Sequence, residues 1–242
     1  MFRRRFAAAL TSIALGVAGA LIAPVAAQAD DWDDYCNWDD KTFPQIHSYS
    51  PSTVTLGLES KLVTFRVSAD DECGIDDWDI DGPHVWAWDS DPTDRIHPWA
   101  NSYAGASHVD VEVSDPNYNT TTKRFGFRLL RATYVSGFNV TPEPVKKGKY
   151  VTVKGTLKRA DWDRGAYVKY GAKSQRVQIQ FKAKGAASYR TVKTVTLGKK
   201  SEVKSKIKVA GSLAKDGTYR LSYAGNGTSG ASVSAGDYVD VK

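Results

Sequence analysis

The sequence predicts an all-β protein: two tandem immunoglobulin-like β-sandwich modules after a cleaved signal peptide. Three observations carry this. One phrase occurs twice: Ser50-Pro51-Ser52-Thr53-Val54-Thr55-Leu56-Gly57 returns 91 residues later as Thr141-Pro142-Glu143-Pro144-Val145-Lys146-Lys147-Gly148, and a Val-Thr-hydrophobic run follows each copy. A period of that length is the size of one immunoglobulin-like sandwich. Second, polar and apolar residues alternate one for one, as in residues 176–182 and 203–209, the two-residue period of a strand with one face in a core. Third, Arg3-Arg4-Arg5, an apolar run over residues 6–23 and Ala27-Gln28-Ala29 make up the three parts of a secretory signal peptide.

The leader is assigned to residues 1–29. Its apolar run approaches the ~20 residues of a spanning helix, but its small residues and the Ala-x-Ala site favour cleavage over anchoring. No later stretch is apolar enough to span a bilayer, so the mature chain is expected to be secreted, in solution or against the cell wall. Cys36 and Cys73 are the two cysteines, and export makes a disulfide between them the natural pairing. It would close a loop of ~38 residues, worth about 3–4 kcal/mol on the chain-entropy model.

An acidic module is expected over residues 30–131 and a basic one over 132–242. The first holds 20 acidic residues against 8 basic ones; the second holds 7 acidic against 22 basic. Strands are expected at 62–67, 85–88, 108–113 and 124–130. In the second module they are expected at 134–140, 150–157, 176–182, 190–197, 203–209, 219–224 and 232–241. Tyr219, in Asp216-Gly217-Thr218-Tyr219, stands where the corner tyrosine of such sandwiches falls, with a spacing one residue shorter. Residues 131–134 form a hinge short enough to restrict motion between the modules.

Three constellations offer chemistry. Asp77-Trp78-Asp79-Ile80-Asp81-Gly82 reads as a tight loop aiming alternate carboxylates at one point, with Asp89 and Asp91 completing a structural Ca²⁺ shell. An EF-hand is excluded, because its twelfth position is Trp88 rather than Glu; the plain alternative is a solvated acidic loop. Trp86 and Trp88 share one face of a strand. In such sandwiches a tryptophan commonly fills the core, and that is the expectation here; exposed, the pair would stack on sugar rings as a carbohydrate-binding module does. Lys204, Lys206 and Lys208 project from one strand face, with Lys182, Lys184, Lys193, Lys199 and Lys200 expected nearby. That charge suits an anionic cell-wall polymer or surface glycan, or serves only to keep the face soluble. Nucleic acid is not expected, because the compartment is wrong and no aromatic stacking set interleaves with the lysines. His84 and His97 flank the acidic stretch, but no Gly-x-Ser-x-Gly, His-Glu-x-x-His or phosphate loop occurs, so no enzyme is expected.

Four stretches also carry a family likeness: Val140-Thr141-Pro142-Glu143-Pro144-Val145-Lys146-Lys147-Gly148, Leu157-Lys158-Arg159-Ala160-Asp161-Trp162, Val177-Gln178-Ile179-Gln180-Phe181-Lys182-Ala183-Lys184-Gly185 and Ala235-Gly236-Asp237-Tyr238-Val239-Asp240-Val241. They resemble the C-terminal module of secreted tandem immunoglobulin-like proteins of Streptomyces-like actinobacteria, some of which are labelled calcium-binding. The resemblance covers residues 134–242 and, more weakly, the first module. It implies a secreted, non-enzymatic protein and carries no ligand or catalytic residue onto this chain.

Overall fold

The computed structural model describes residues 42–171 and 175–242; the leader and Cys36 lie outside them. Among the described residues, strands β1 (Gln45–Ser50), β2 (Thr53–Leu56), β3 (Lys61–Thr64), β4 (Arg66–Asp70), β5 (Asp77–Gly82), β6 (Val85–Trp88), β7 (Thr93–Ile96), β8 (Gly105–Ser114) and β9 (Thr120–Arg131) build the first sandwich. One layer is the sheet β2-β9-β8-β5-β6. The facing layer pairs β1 with β4 and β3 with β7, the run β3–β4 being interrupted only at Phe65. In β8, Val109, Val111 and Val113 are fully buried while Glu112 between them is exposed. They meet Ile46, Leu56, Phe65, Ile80 and Leu129 in one apolar cluster.

The second sandwich comprises β10 (Thr133–Thr141), β11 (Tyr150–Asp161), β12 (Ala166–Lys169), β13 (Arg176–Ala183), β14 (Arg190–Thr196), β15 (Glu202–Lys208), β16 (Gly217–Tyr223), β17 (Ser232–Val233) and β18 (Asp237–Val239). β11 is central to one layer, with β10 on one side and β12 and β15 along successive stretches of the other. The facing layer is β14-β13-β16, with β17 and β18 both on β16. Val151, Val153, Val177, Ile179, Phe181 and Leu221 fill the core. The chain is thus all-β, in two immunoglobulin-like sandwiches.

The repeated phrase is one structural step used twice. At the cis bond Ser50–Pro51 the chain leaves the β1–β4 ladder, and β2 aligns parallel to β9 in the other sheet. At Thr141–Pro142, also cis, it leaves β10, and Val145 makes a parallel bridge to Val241. Proline has no N–H to donate, so a ladder ends there.

Tyr219 departs from expectation. It is buried against Phe181, ring centroids 4.7 Å apart, but its hydroxyl has no hydrogen-bond partner among the described residues, and burial pushes its pKa up to about 12. A corner tyrosine would bond backbone through that hydroxyl; the shortened spacing instead seats the ring in the core.

The two apolar clusters do not divide where the chain does. Ala160 and Trp162, at the end of β11, belong to the first cluster. Trp162 is 6% exposed, and its Nε1 donates to the Gly57 carbonyl at 2.7 Å. Asn101 clasps the same turn: its Oδ1 accepts from Trp162 N, and its Nδ2 donates to Asp161 and Asp163. Only Ala132 separates β9 from β10, and its N–H donates to Leu56. Gly230 N–H donates to the Arg131 carbonyl, and a Cβ on Gly230 would lie 2.7 Å from the Thr55 methyl, so only glycine fits there.

Candidate binding surfaces

The Asp77–Gly82 run is a strand, β5, and not the expected loop. Trp78 and Ile80 turn inward onto the core while Asp77, Asp79 and Asp81 face out. Alternate side chains on a strand stand about 7 Å apart and nearly parallel, whereas a Ca²⁺ shell needs oxygens converging to about 2.3–2.6 Å from one point. Asp89 lies in the turn after β6; Asp91 accepts a hydrogen bond from Thr93 Oγ1 at 2.8 Å. Among the described residues no group of three or more His, Cys, Asp or Glu side chains is placed to hold a metal ion. Cys36 lies outside the described residues; Cys73 is not free.

The register of β5 with its neighbours assembles two rungs across the outer face. One runs Trp86, Asp81, Asp110, Arg124; the other runs Trp88, Asp79, Glu112, Thr122. Arg124 grips Asp110 with two bonds of 2.7 Å and holds that carboxyl below its ordinary pKa. Thr122 Oγ1 donates to Glu112 at 3.0 Å. Asp79 has no such partner among the described residues. Its partial burial, then Glu112, Asp77 and Asp81, push its pKa up.

Trp86 and Trp88 are not in the core. Val85 and Ala87 take the inward positions of β6, so both indoles face out, 67% and 38% exposed, with centroids 5.8 Å apart and planes at 65°. Trp162, contributed by the other half of the chain, is buried in the first core, with Trp78 packed against it. β6 is the edge of its sheet, with Asp91 and Asp94 of the returning chain bonded to its backbone. Gly82 before the β5–β6 turn is required, because a Cβ there would lie 2.8 Å from the His108 carbonyl. At the end of this edge a cleft of about 290 Å³ is lined by Trp86, Trp99, His84, His97, Asp81 and Asp94. Asp94 accepts the Trp86 N–H at 3.0 Å, Trp99 is 71% exposed with His97 stacked at 5.1 Å, and burial lowers the His84 pKa. Sequence reasoning missed Trp99, Asp94 and the two histidines as cleft partners; their clustering depends on β7 folding back beside β6.

Lys204, Lys206 and Lys208 all face water on β15, with Val203, Ser205 and Ile207 buried between them. The expected companions Lys182 and Lys193 lie instead on β13 and β14, in the opposite layer. The real neighbours come from β11 and β12. Lys154 stands directly across from Lys204, and Lys158 across from Lys169. Like charges directly opposite on a sheet face destabilise it.

No helix among the described residues is long and apolar enough to cross a membrane. No protein-family model matches the chain, and no curated protein does. Solved structures similar in fold include dimeric latent PorU from Porphyromonas gingivalis (14% identity, 84% of this chain and 20% of that one, TM-score 0.33). The fibronectin(III)-like modules of Clostridium thermocellum CbhA are matched at 10% identity over 82% of this chain and 92% of that one, with a TM-score of 0.39. Murine CEACAM1b is matched at 14% identity over 82% and 100%, with a TM-score of 0.33. The chain thus spans a fifth of the length of the first of these. At such identities the likeness is one of fold alone.

Proposed function

We propose that this is a secreted, non-enzymatic binding protein whose main recognition surface is the β5–β6 edge, and that its ligand is the sugar rings of a surface or wall glycan. The observation that carries this reading is the outward pair Trp86 and Trp88, each directly across from a carboxylate. Indole faces take the C–H faces of a sugar ring, while Asp79, Asp81 and Asp94 accept from its hydroxyls. Two large apolar rings left in water at a sheet edge have a cost that a ligand removes. The test is retention on a panel of insoluble polysaccharides, comparing the wild-type chain with Trp86→Ala/Trp88→Ala. Affinity should fall at least about tenfold, the scale of truncating one or two contact residues; equal retention would overturn the reading.

The lysine face supports a second contact, to an anionic cell-wall polymer. The opposed pair Lys154–Lys204 favours it, since a row of phosphates would relieve it; Lys169, across from Lys158, is already paired with Glu202 at 3.4 Å. A Lys204→Ala/Lys206→Ala/Lys208→Ala variant should lose salt-sensitive retention on a phosphate-rich polymer; unchanged retention would sink this part. Calcium remains a lesser reading, favoured by the repulsion around Asp79 and limited to a loosely bound ion over the Asp79–Glu112 rung. A thermal midpoint higher in about 5 mM Ca²⁺ than in EDTA, and lost in Asp79→Asn/Asp81→Asn, would support it at the 10⁻⁴–10⁻³ M affinities of extracellular sites. The Cys36–Cys73 bridge belongs to the same secreted reading, and a free-thiol titration of the unfolded chain tests it.

A further inference from the structure

Where the two sandwiches meet, a cleft of about 740 Å³ opens between the end of β9, the β11–β12 pair and the loop around Asn226. Two guanidinium groups line it. Arg131 is 6% exposed, and its Nε donates to the Ala160 carbonyl at 2.7 Å. That bond fixes the group while its two Nη atoms make no hydrogen bond or ion pair among the described residues. Arg159 lies over the Tyr170 ring at 3.8 Å; its Nη1 donates to Ser229 Oγ at 3.0 Å, and its buried Nε has no partner.

Neither arginine has a carboxylate within ion-pair distance among the described residues. Asp161, the acid on the cleft wall, attracts Arg131 only from beyond ion-pair distance, as does Asp163. Asp161 Oδ1 accepts from Asn101 at 2.7 Å, and its Oδ2 faces Arg164 at 3.8 Å. Buried charge is costly unless it is paired, and here two like charges share one half-buried wall. Asn226 stands beside them, its Nδ2 donating to the Tyr170 hydroxyl at 2.8 Å and to Gln175 Oε1 at 3.2 Å.

We propose that this cleft binds an oxyanion, a phosphate, sulfate or carboxylate group carried by a small molecule or by a larger one, seated between Arg131 and Arg159. A guanidinium presents a planar fork of donors that matches two oxygens of such a group, and two forks on one wall can hold it from adjacent sides. The aromatic beneath Arg159 holds that fork in place. Arg131 closes the first sandwich, while Arg159, Tyr170 and Asn226 belong to the second, so the site exists only in the assembled junction. An occupied cleft would therefore tie the two sandwiches together. This site is separate from the tryptophan edge and does not depend on it.

The test is calorimetric titration of the whole chain with inorganic phosphate, sulfate and glucuronate at matched ionic strength, with thermal midpoints recorded alongside. At least one of them should bind saturably and raise the midpoint. Arg159→Gln should weaken that binding at least about tenfold. Asn226→Asp, nearly isosteric, should do the same by placing a carboxylate in the cleft. Lys61→Ala, on the distant strand β3, should leave it unchanged. A preference for phosphate or sulfate over glucuronate assigns the tetrahedral source, and the reverse assigns the carboxylate one. Absence of saturable binding to all three, or binding as tight as the wild type's in both Asn226→Asp and a folded Arg159→Gln, would overturn the site.

Discussion

The outer faces of the two sandwiches use one backbone device for different chemistry. In each, an edge strand alternates buried and exposed residues: β6 buries Val85 and Ala87, and β15 buries Val203, Ser205 and Ile207. What stands in the exposed positions differs. On β6 it is two indoles, each across from an aspartate; on β15 it is Glu202 and three lysines, one of them across from a fourth. An indole contributes contact area that salt barely affects, whereas ammonium groups act at a distance and are screened within about 8 Å at physiological ionic strength. The first face is therefore suited to holding one ligand geometry and the second to gathering any polyanion. The difference lies in the side chains, because the frame beneath is the same.

The comparison can be broken most severely at the junction. Trp162→Ala should cost about 3–5 kcal/mol, the scale of truncating a buried aromatic, and it also removes the hydrogen bond to Gly57. Trp86→Ala should stay within about 0.5 kcal/mol, as surface substitutions do. Equal losses by chemical denaturation would mean that the two tryptophans have not been assigned their proper places. A second experiment separates the faces by salt. Raising NaCl from about 0.05 to 0.5 M should abolish retention through Lys204, Lys206 and Lys208 while leaving tryptophan-dependent retention within about twofold; parallel loss of both would merge the two faces into one electrostatic surface.

Smaller effects sharpen the picture. Lys154→Glu turns the opposed pair with Lys204 into an attractive one and should stabilise the chain by about 0.2–1 kcal/mol, measured by urea denaturation. Asp79 has a carboxyl pKa raised in the folded state, so the fold favours its protonated form. Stability should then fall as pH rises from the unfolded carboxylate value, about 4, through the raised folded value. Asp79→Asn should flatten that fall and raise the thermal midpoint at neutral pH, with no gain below about pH 4.

The alternation of residues 203–209 was enough to place Lys204, Lys206 and Lys208 on one exposed face, and the repeated proline phrase marked equivalent steps in both sandwiches. Asp77–Gly82 shows the opposite case. The same alternation was present there, Trp78 and Ile80 between aspartates, but the carboxylate spacing of a calcium loop imitates the period of a strand. Two features lay beyond any local pattern. Trp162 fills the core of the other sandwich, and Arg131 and Arg159 line one cleft at the junction; both depend on contacts between distant stretches of chain. The exposure of Trp86 and Trp88 was likewise undecidable locally, because Val85 and Ala87 are as apolar as the indoles and only the pairing of β6 with β5 chooses between the two parities.

The central claim is that the β6 indoles meet ligand. The most direct measurement is tryptophan fluorescence of the wild-type chain during titration with a soluble oligosaccharide of the polysaccharide that retains it best, repeated on Trp86→Ala/Trp88→Ala. A saturable spectral shift in the wild type that is absent from an equally stable double variant is the predicted result. A saturable shift of the same size and affinity in both, or binding by calorimetry with no spectral change in the wild type, would contradict it.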